Sequence, residues 1–255
     1  MHKAKAGGRG RLFLLFLALV PCAAHAQYMG SFGINWSNPV SASLSNSMWS
    51  NWVVYQTQLN QAKAAAAKGG GNGPAATAAT LKIDETALRF RPAADHLLTR
   101  KLADQIGHTT SEKQAIGVLL KAIYQEFDAQ AARLGKPNDL ALALSFFLAQ
   151  NTAVLRGVPD PKEEQILDLR QVILVAFGQT AGLGSFTDQQ RQELYEVLVG
   201  YTGLAYAGYL DAKRRGDQPH IKEFQKVAGA NLTAITHLPP ERFEFSDKGL
   251  TIRPQ

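Results

Sequence analysis

Apolar positions are densest between Leu140 and Leu155, which reads LALALSFFLAQNTAVL. Leu140, Leu142, Leu144, Phe146, Phe147, Leu148, Val154 and Leu155 leave almost no polar face, the mark of a helix buried on all sides. The run is shorter than the roughly 20 residues of a bilayer-spanning helix, and Gln150 and Asn151 interrupt it. It predicts the central helix of a soluble helical domain. Pro137-Asn138-Asp139 marks its start, and Arg156-Gly157 before Pro159 marks its stop. Asn151 shares a face with Leu140, Leu144, Phe147 and Val154, so its amide points inward. There it is either a satisfied buried polar group or the polar floor of a pocket.

The flanking pattern predicts more helices of the same domain. Leu98, Leu102 and Ile106 align over Ala93–Gly107. Ile116, Leu120, Ile123, Phe127 and Leu134 form a stripe over Ser111–Leu134. Thr109 with Glu112, or Ser111 with Gln114, offers a capping box, and Gly135 a left-handed stop. Asp160 reads as a cap, Pro161 as the first helical residue and Glu163 as the partner of the box. That helix runs through Ile166, Leu169, Ile173 and Phe177 to about Thr180. Ala181–Ser185 reads as a turn. Thr187 with Gln190 then opens a long helix to Arg215, stopped by Gly216. Gly200, Gly203 and Gly208 lie inside it, each at a cost of about 1 kcal/mol against Ala, offset by close approach of a neighbouring helix or by a kink. Tyr195, Tyr201, Tyr206 and Tyr209 share the segment, where tyrosines serve sugar stacking or, more commonly, packing. Tyr201, like Asn151, is a candidate buried or pocket residue. A last helix covers Pro219–Ile235 before Pro239-Pro240. From Arg242 to Arg253 the alternation of Phe243, Phe245, Leu250 and Ile252 around a Gly-containing turn predicts a small hairpin. The fold class is therefore all-α, a bundle of about six helices with a C-terminal β-hairpin.

The N-terminal quarter follows other rules. Leu44, Met48, Trp52, Tyr55 and Leu59 recur at helical spacing, flanked by Trp49 and Val53. This amphipathic helix either packs on its own domain or docks a partner, with Trp49, Trp52 and Tyr55 as the contact residues. Its polar face carries Ser, Asn and Gln and almost no Lys or Arg, which argues against a membrane surface. Residues 68–80 are Gly- and Ala-rich and read as a flexible linker. The expected organisation is a signal at 1–26, an aromatic arm at 27–67, this linker, a helical domain at 81–240 and the hairpin or tail at 241–255.

Charge changes the picture once the signal is recognised. Lys3, Lys5, Arg9 and Arg11 precede the apolar run Leu12–Val20 and the Ala24-His25-Ala26 cleavage pattern. Lipidation at Cys22 is the rival, disfavoured by Pro21. The whole chain is formally +6, but the signal carries four of the 27 basic residues and no acidic one, leaving 23 against 21. Nucleic acid loses its electrostatic case as a partner. Cleavage also removes Cys22, the single cysteine, and with it any disulfide or thiolate chemistry. No hydrophobic run beyond the signal spans a membrane, and the setting expected is periplasmic or secreted.

Candidate chemistry is sparse. The chain has no H-E-x-x-H, G-x-S-x-G or P-loop pattern. His220 and Glu223, spaced i, i+3, form a metal pair without a third ligand, and catalytic zinc takes three. His96 adjoins Asp95 in sequence, so the two cannot face each other on a helix. Asp160, Glu163, Glu164 and Asp188 are accounted for by capping and the helix dipole. No catalytic residue, metal or cofactor is assigned.

Pro137–Gly157, the long helix after Phe186-Thr187, and the ending from Arg242 to Leu250 together resemble a domain family of unknown function found in exported bacterial proteins. The resemblance covers about residues 97–252 and leaves the aromatic arm outside. It implies an all-helical exported domain with a short terminal element and supplies no activity. The function expected is a non-enzymatic, envelope-associated module acting through a protein partner. The alternatives are a periplasmic cell-wall hydrolase, motivated by the tyrosines, and a carrier of a small apolar ligand, motivated by the three glycines.

Overall fold

The computed structural model describes residues 84–86, 88–177 and 186–253. The signal, the arm with Trp49, Trp52 and Tyr55, the linker and the turn at Ala181–Ser185 lie outside the described residues. Six helices follow in order: α1 (Thr99–Ile106), α2 (Thr110–Arg133), α3 (Leu140–Arg156), α4 (Glu163–Phe177), α5 (Asp188–Arg215) and α6 (Gln218–Thr236). A 3-10 turn at Pro240–Arg242 leads into β1 (Phe243–Ser246), which pairs antiparallel with β2 (Gly249–Ile252).

Helix α3 is the axis of the fold. Every residue from Leu140 to Val154 is buried, because α4, α5, α6 and both strands pack around it. A helix so enclosed must satisfy its own polar side chains. Ser145 Oγ donates to the Ala141 carbonyl at 2.7 Å and Thr152 Oγ1 to the Leu148 carbonyl at 2.7 Å. Asp139 caps the start by accepting from the Leu142 N–H at 2.9 Å, and Gly157 closes the end at φ 65°.

Local signals place most helix ends as expected. The Thr109–Glu112 and Thr187–Gln190 capping boxes are both formed. Two starts differ. Helix α1 begins at Thr99, not Ala93, because the N–H groups of Ala93, Leu97 and Leu98 are taken by Gln192 and Glu196 of α5. Helix α4 begins at Glu163, and Asp160 is no cap. Its carboxylate instead accepts from the Tyr206 hydroxyl and, at 3.2 Å, from Gln150 Nε2.

The three glycines of α5 are explained by close approach. A Cβ on Gly200 would stand 2.7 Å from the Tyr124 hydroxyl, and one on Gly203 would stand 2.4 Å from Ile123 Cγ2. Helix α2 therefore lies against α5 at a distance only hydrogen allows. Phe224 of α6 fills the notch at Gly208. The notches hold side chains of the protein itself.

The hairpin is held by the end of α3. Arg156 Nε donates to the Phe243 carbonyl at 2.8 Å, and Nη2 donates to the carbonyls of Glu241 at 2.9 Å and Pro240 at 3.2 Å. A lone hairpin is marginal, so these bonds and the buried Phe243, Leu250 and Ile252 fix it. Arg156→Ala is expected to cost about 1.5–3 kcal/mol, the range for bonds that involve a charged group. A lower urea midpoint with α-helical circular dichroism retained would show it.

Candidate functional site

The residues that lead into the bundle form a strap at 88–98, and unlike most loops it is fastened by buried charge. Leu88 and Phe90 are its apolar anchors. Leu140 N–H donates to the Leu88 carbonyl at 3.1 Å, and Phe90 N–H to the Asn138 carbonyl at 3.2 Å. Phe90 also meets Tyr195 edge-on at 5.3 Å between ring centres.

The first fastening is Arg170, on α4 within ILDLRQVILVAF. Its side chain is 0% exposed. Nε and Nη2 reach Asp139 Oδ2 at 2.9 and 2.6 Å, and Nη1 reaches Glu85 Oε2 at 2.6 Å. Lys136 and Gln171 complete the shell around Glu85, at 2.9 and 2.8 Å. Burial pushes the Glu85 carboxyl up, but the bonds from Gln171, Arg170 and Lys136 outweigh it and hold the group at about 2. One guanidinium thus joins the cap of α3, the body of α4 and the chain just before the strap.

The second fastening is Glu196, on α5 and 0% exposed. Its carboxylate accepts from the N–H groups of Leu97 and Leu98 at 3.0 and 2.7 Å and from Gln192 Nε2 at 2.8 Å. Leu98 caps α1 without a side-chain bond of its own. Glu196 supplies that cap from nearly 100 positions away, with negative charge where the helix dipole favours it. Burial raises this carboxyl, and the bonds from His96, Gln192, Leu98 and Leu97 bring it below the usual range.

His96 closes the group. Its Nδ1 stands 3.5 Å from Glu196 Oε1 and its Nε2 3.7 Å from Asp128 Oδ2 on α2. The ring stacks on Tyr124 at 4.5 Å. Asp128 also accepts from the Tyr195 hydroxyl at 2.5 Å. Among the described residues no group of three or more His, Cys, Asp or Glu can hold a metal. The arrangement can take and release a proton, and it holds backbone in place.

The residues singled out from sequence lie elsewhere. Asn151 is buried between three helices. Its Nδ2 donates to the Phe147 carbonyl at 2.8 Å and to Thr202 Oγ1 at 3.0 Å, and its Oδ1 accepts from Asn231 Nδ2 at 3.0 Å. Tyr201 is buried on α5, and burial pushes its phenol up to about 12. Tyr195, Tyr206 and Tyr209 are buried as well, so these rings pack inside the bundle instead of offering a face to a sugar. His220 Nδ1 lies 2.7 Å from Asp217 Oδ2, the cap of α6.

The fold and the strap together define an all-helical bundle with a C-terminal hairpin, its N-terminal approach held by two charge clusters built on the buried Arg170 and Glu196. The chain belongs to a family of unknown function, DUF6683, whose profile matches residues 9–253. The match begins well before residue 97 and takes in the aromatic arm and the linker. No curated protein and no solved structure matches the chain. No helix among the described residues is long and apolar enough to cross a membrane.

Proposed function

We propose that the protein is an exported, envelope-associated interaction module in which the helical bundle is the scaffold and the aromatic arm is the contact surface. In this reading residues 1–26 are a cleaved signal, and Trp49, Trp52 and Tyr55 meet a protein partner. The observation that supports it is the double fastening of the strap. Arg170 holds Glu85, and Glu196 holds Leu97 and Leu98, so the chain that carries the linker and arm leaves the bundle from a fixed point. A tether needs such a point: force or position at the arm is then passed to the whole bundle. The reach of the family profile back to residue 9 supports treating arm and bundle as parts of one unit.

The test uses the whole mature chain and a variant with Trp49→Ala, Trp52→Ala and Tyr55→Ala as baits in envelope extract. Aromatic anchors each contribute upward of about 2 kcal/mol at well-packed interfaces, so recovery of the partner is expected to fall by at least about tenfold. Equal recovery by both baits, with matching thermal unfolding, overturns the assignment.

A further inference from the structure

The second fastening holds a group that changes charge near neutral pH. His96 sits between two carboxylates that come from different helices, Glu196 on α5 and Asp128 on α2, while its own backbone belongs to the strap. The contact distances, 3.5 and 3.7 Å, are those of an ion pair at each ring nitrogen. Neutral imidazole carries one N–H and can serve one of them, whereas imidazolium serves both. We propose that His96 is a proton-operated clasp, which ties the strap to α2 and α5 when charged and loosens it when neutral.

The surroundings set the direction. The titratable groups acting on the ring are Glu196 from α5, Asp128 from α2 and Asp95 from the strap, with Tyr124 of α2 stacked on its face. The Glu196 carboxylate raises the imidazole, burial opposes it, and Asp128 and Asp95 add to the rise. A histidine raised in the folded state contributes stability that is complete below its unfolded value, about 6.5. That contribution is lost as pH climbs through the folded value. The strap is therefore tight in mild acid and slack in mild base. Loosening exposes first what His96 guards, the two N–H groups of Leu97 and Leu98 on Glu196. Glu196 keeps Gln192 as a donor throughout, so the clasp is graded and does not unfold the bundle.

Amide hydrogen exchange on the full mature chain reads this directly. Between about pH 5.5 and about pH 8.5, after correction for intrinsic rates, Leu97 and Leu98 are expected to lose protection by roughly two- to fivefold, the worth of a partly exposed pair. Leu142, whose amide is held by Asp139, is the reference and stays level. His96→Gln flattens the response of Leu97 and Leu98, and a pH profile unchanged in that variant overturns the proposal. A proton titration of the His96 ring needs no destabilising variant. It is expected to give a midpoint above about 6.5, lowered by Asp128→Asn. A midpoint at or below that value, or one indifferent to Asp128→Asn, also overturns it. No partner enters either measurement, so the clasp and the arm reading fail or stand separately.

Discussion

Arg170→Ala is expected to destabilise the domain by about 3–5 kcal/mol at neutral pH, the cost of breaking a buried ion pair from one side. The cost comes less from the lost attraction than from what remains. Asp139 is 1% exposed and keeps the Leu142 N–H as its close donor, with Arg89 Nε 4.0 Å away. Its charge would be stranded in a low-dielectric setting. Glu85 keeps Lys136 and Gln171 and fares better. Arg170→Lys does not rescue, because a single ammonium cannot reproduce three directed N–H groups toward two carboxylates. The discriminating variant removes both charges. Arg170→Met with Asp139→Asn keeps a capping side chain at 139 and leaves no unpaired carboxylate there. It is expected to be less destabilised than Arg170→Ala alone, a non-additivity expected for residues in one network. Urea midpoints of the variants check this, and a double variant as unstable as the sum of its parts would refute the stranded-charge account.

The two fastenings show which parts of this fold are written locally and which are not. Helices α2, α3, α5 and α6 and the hairpin were legible because their signals lie within a few residues of the ends they mark: Thr109 with Glu112, Asp139 before Leu140, Thr187 with Gln190, and the glycines at 157 and 216. The start of α1 was not legible, because its cap is Glu196, 98 positions downstream of Leu98. The same holds for Asp160, which has the local pattern of a cap but accepts from Tyr206, 46 positions away. A usable signal was nevertheless present. Arg170 and Glu196 each interrupt an apolar stretch, at ILDLRQVILVAF and LYEVLVGY. A charge on a face that must be buried demands a partner, even where the sequence does not name it. His96 offered no such signal, because its neighbours in space come from α2 and α5.

Gly208→Ala is expected to destabilise the protein by up to about 2 kcal/mol, although alanine is the better helix former. Intrinsic propensity favours the change by about 1 kcal/mol. The new methyl, however, would stand 2.1 Å from Phe224 Cζ and 2.3 Å from Cε1. Phe224 is 1% exposed within a cluster of Val154, Tyr206, Tyr209, Ala212 and Ala228, so its ring has nowhere to turn. Either α6 moves off α5 or the ring leaves its rotamer, and overpacking of this kind costs about 1–3 kcal/mol and sometimes more. Gly117→Ala is the matched control. It is the same substitution in the middle of α2, where a Cβ meets only Ala103 Cβ at 3.9 Å. There propensity is unopposed, and the protein is expected to gain up to about 1 kcal/mol. Phe224→Leu alone leaves a cavity and destabilises, yet in combination with Gly208→Ala it frees the space the methyl needs. The pair is therefore expected to be less unstable than the two single changes added together, by about 1 kcal/mol or more. Thermal unfolding of the four proteins measures this. Strict additivity would mean that Gly208 is kept for a reason other than the ring of Phe224.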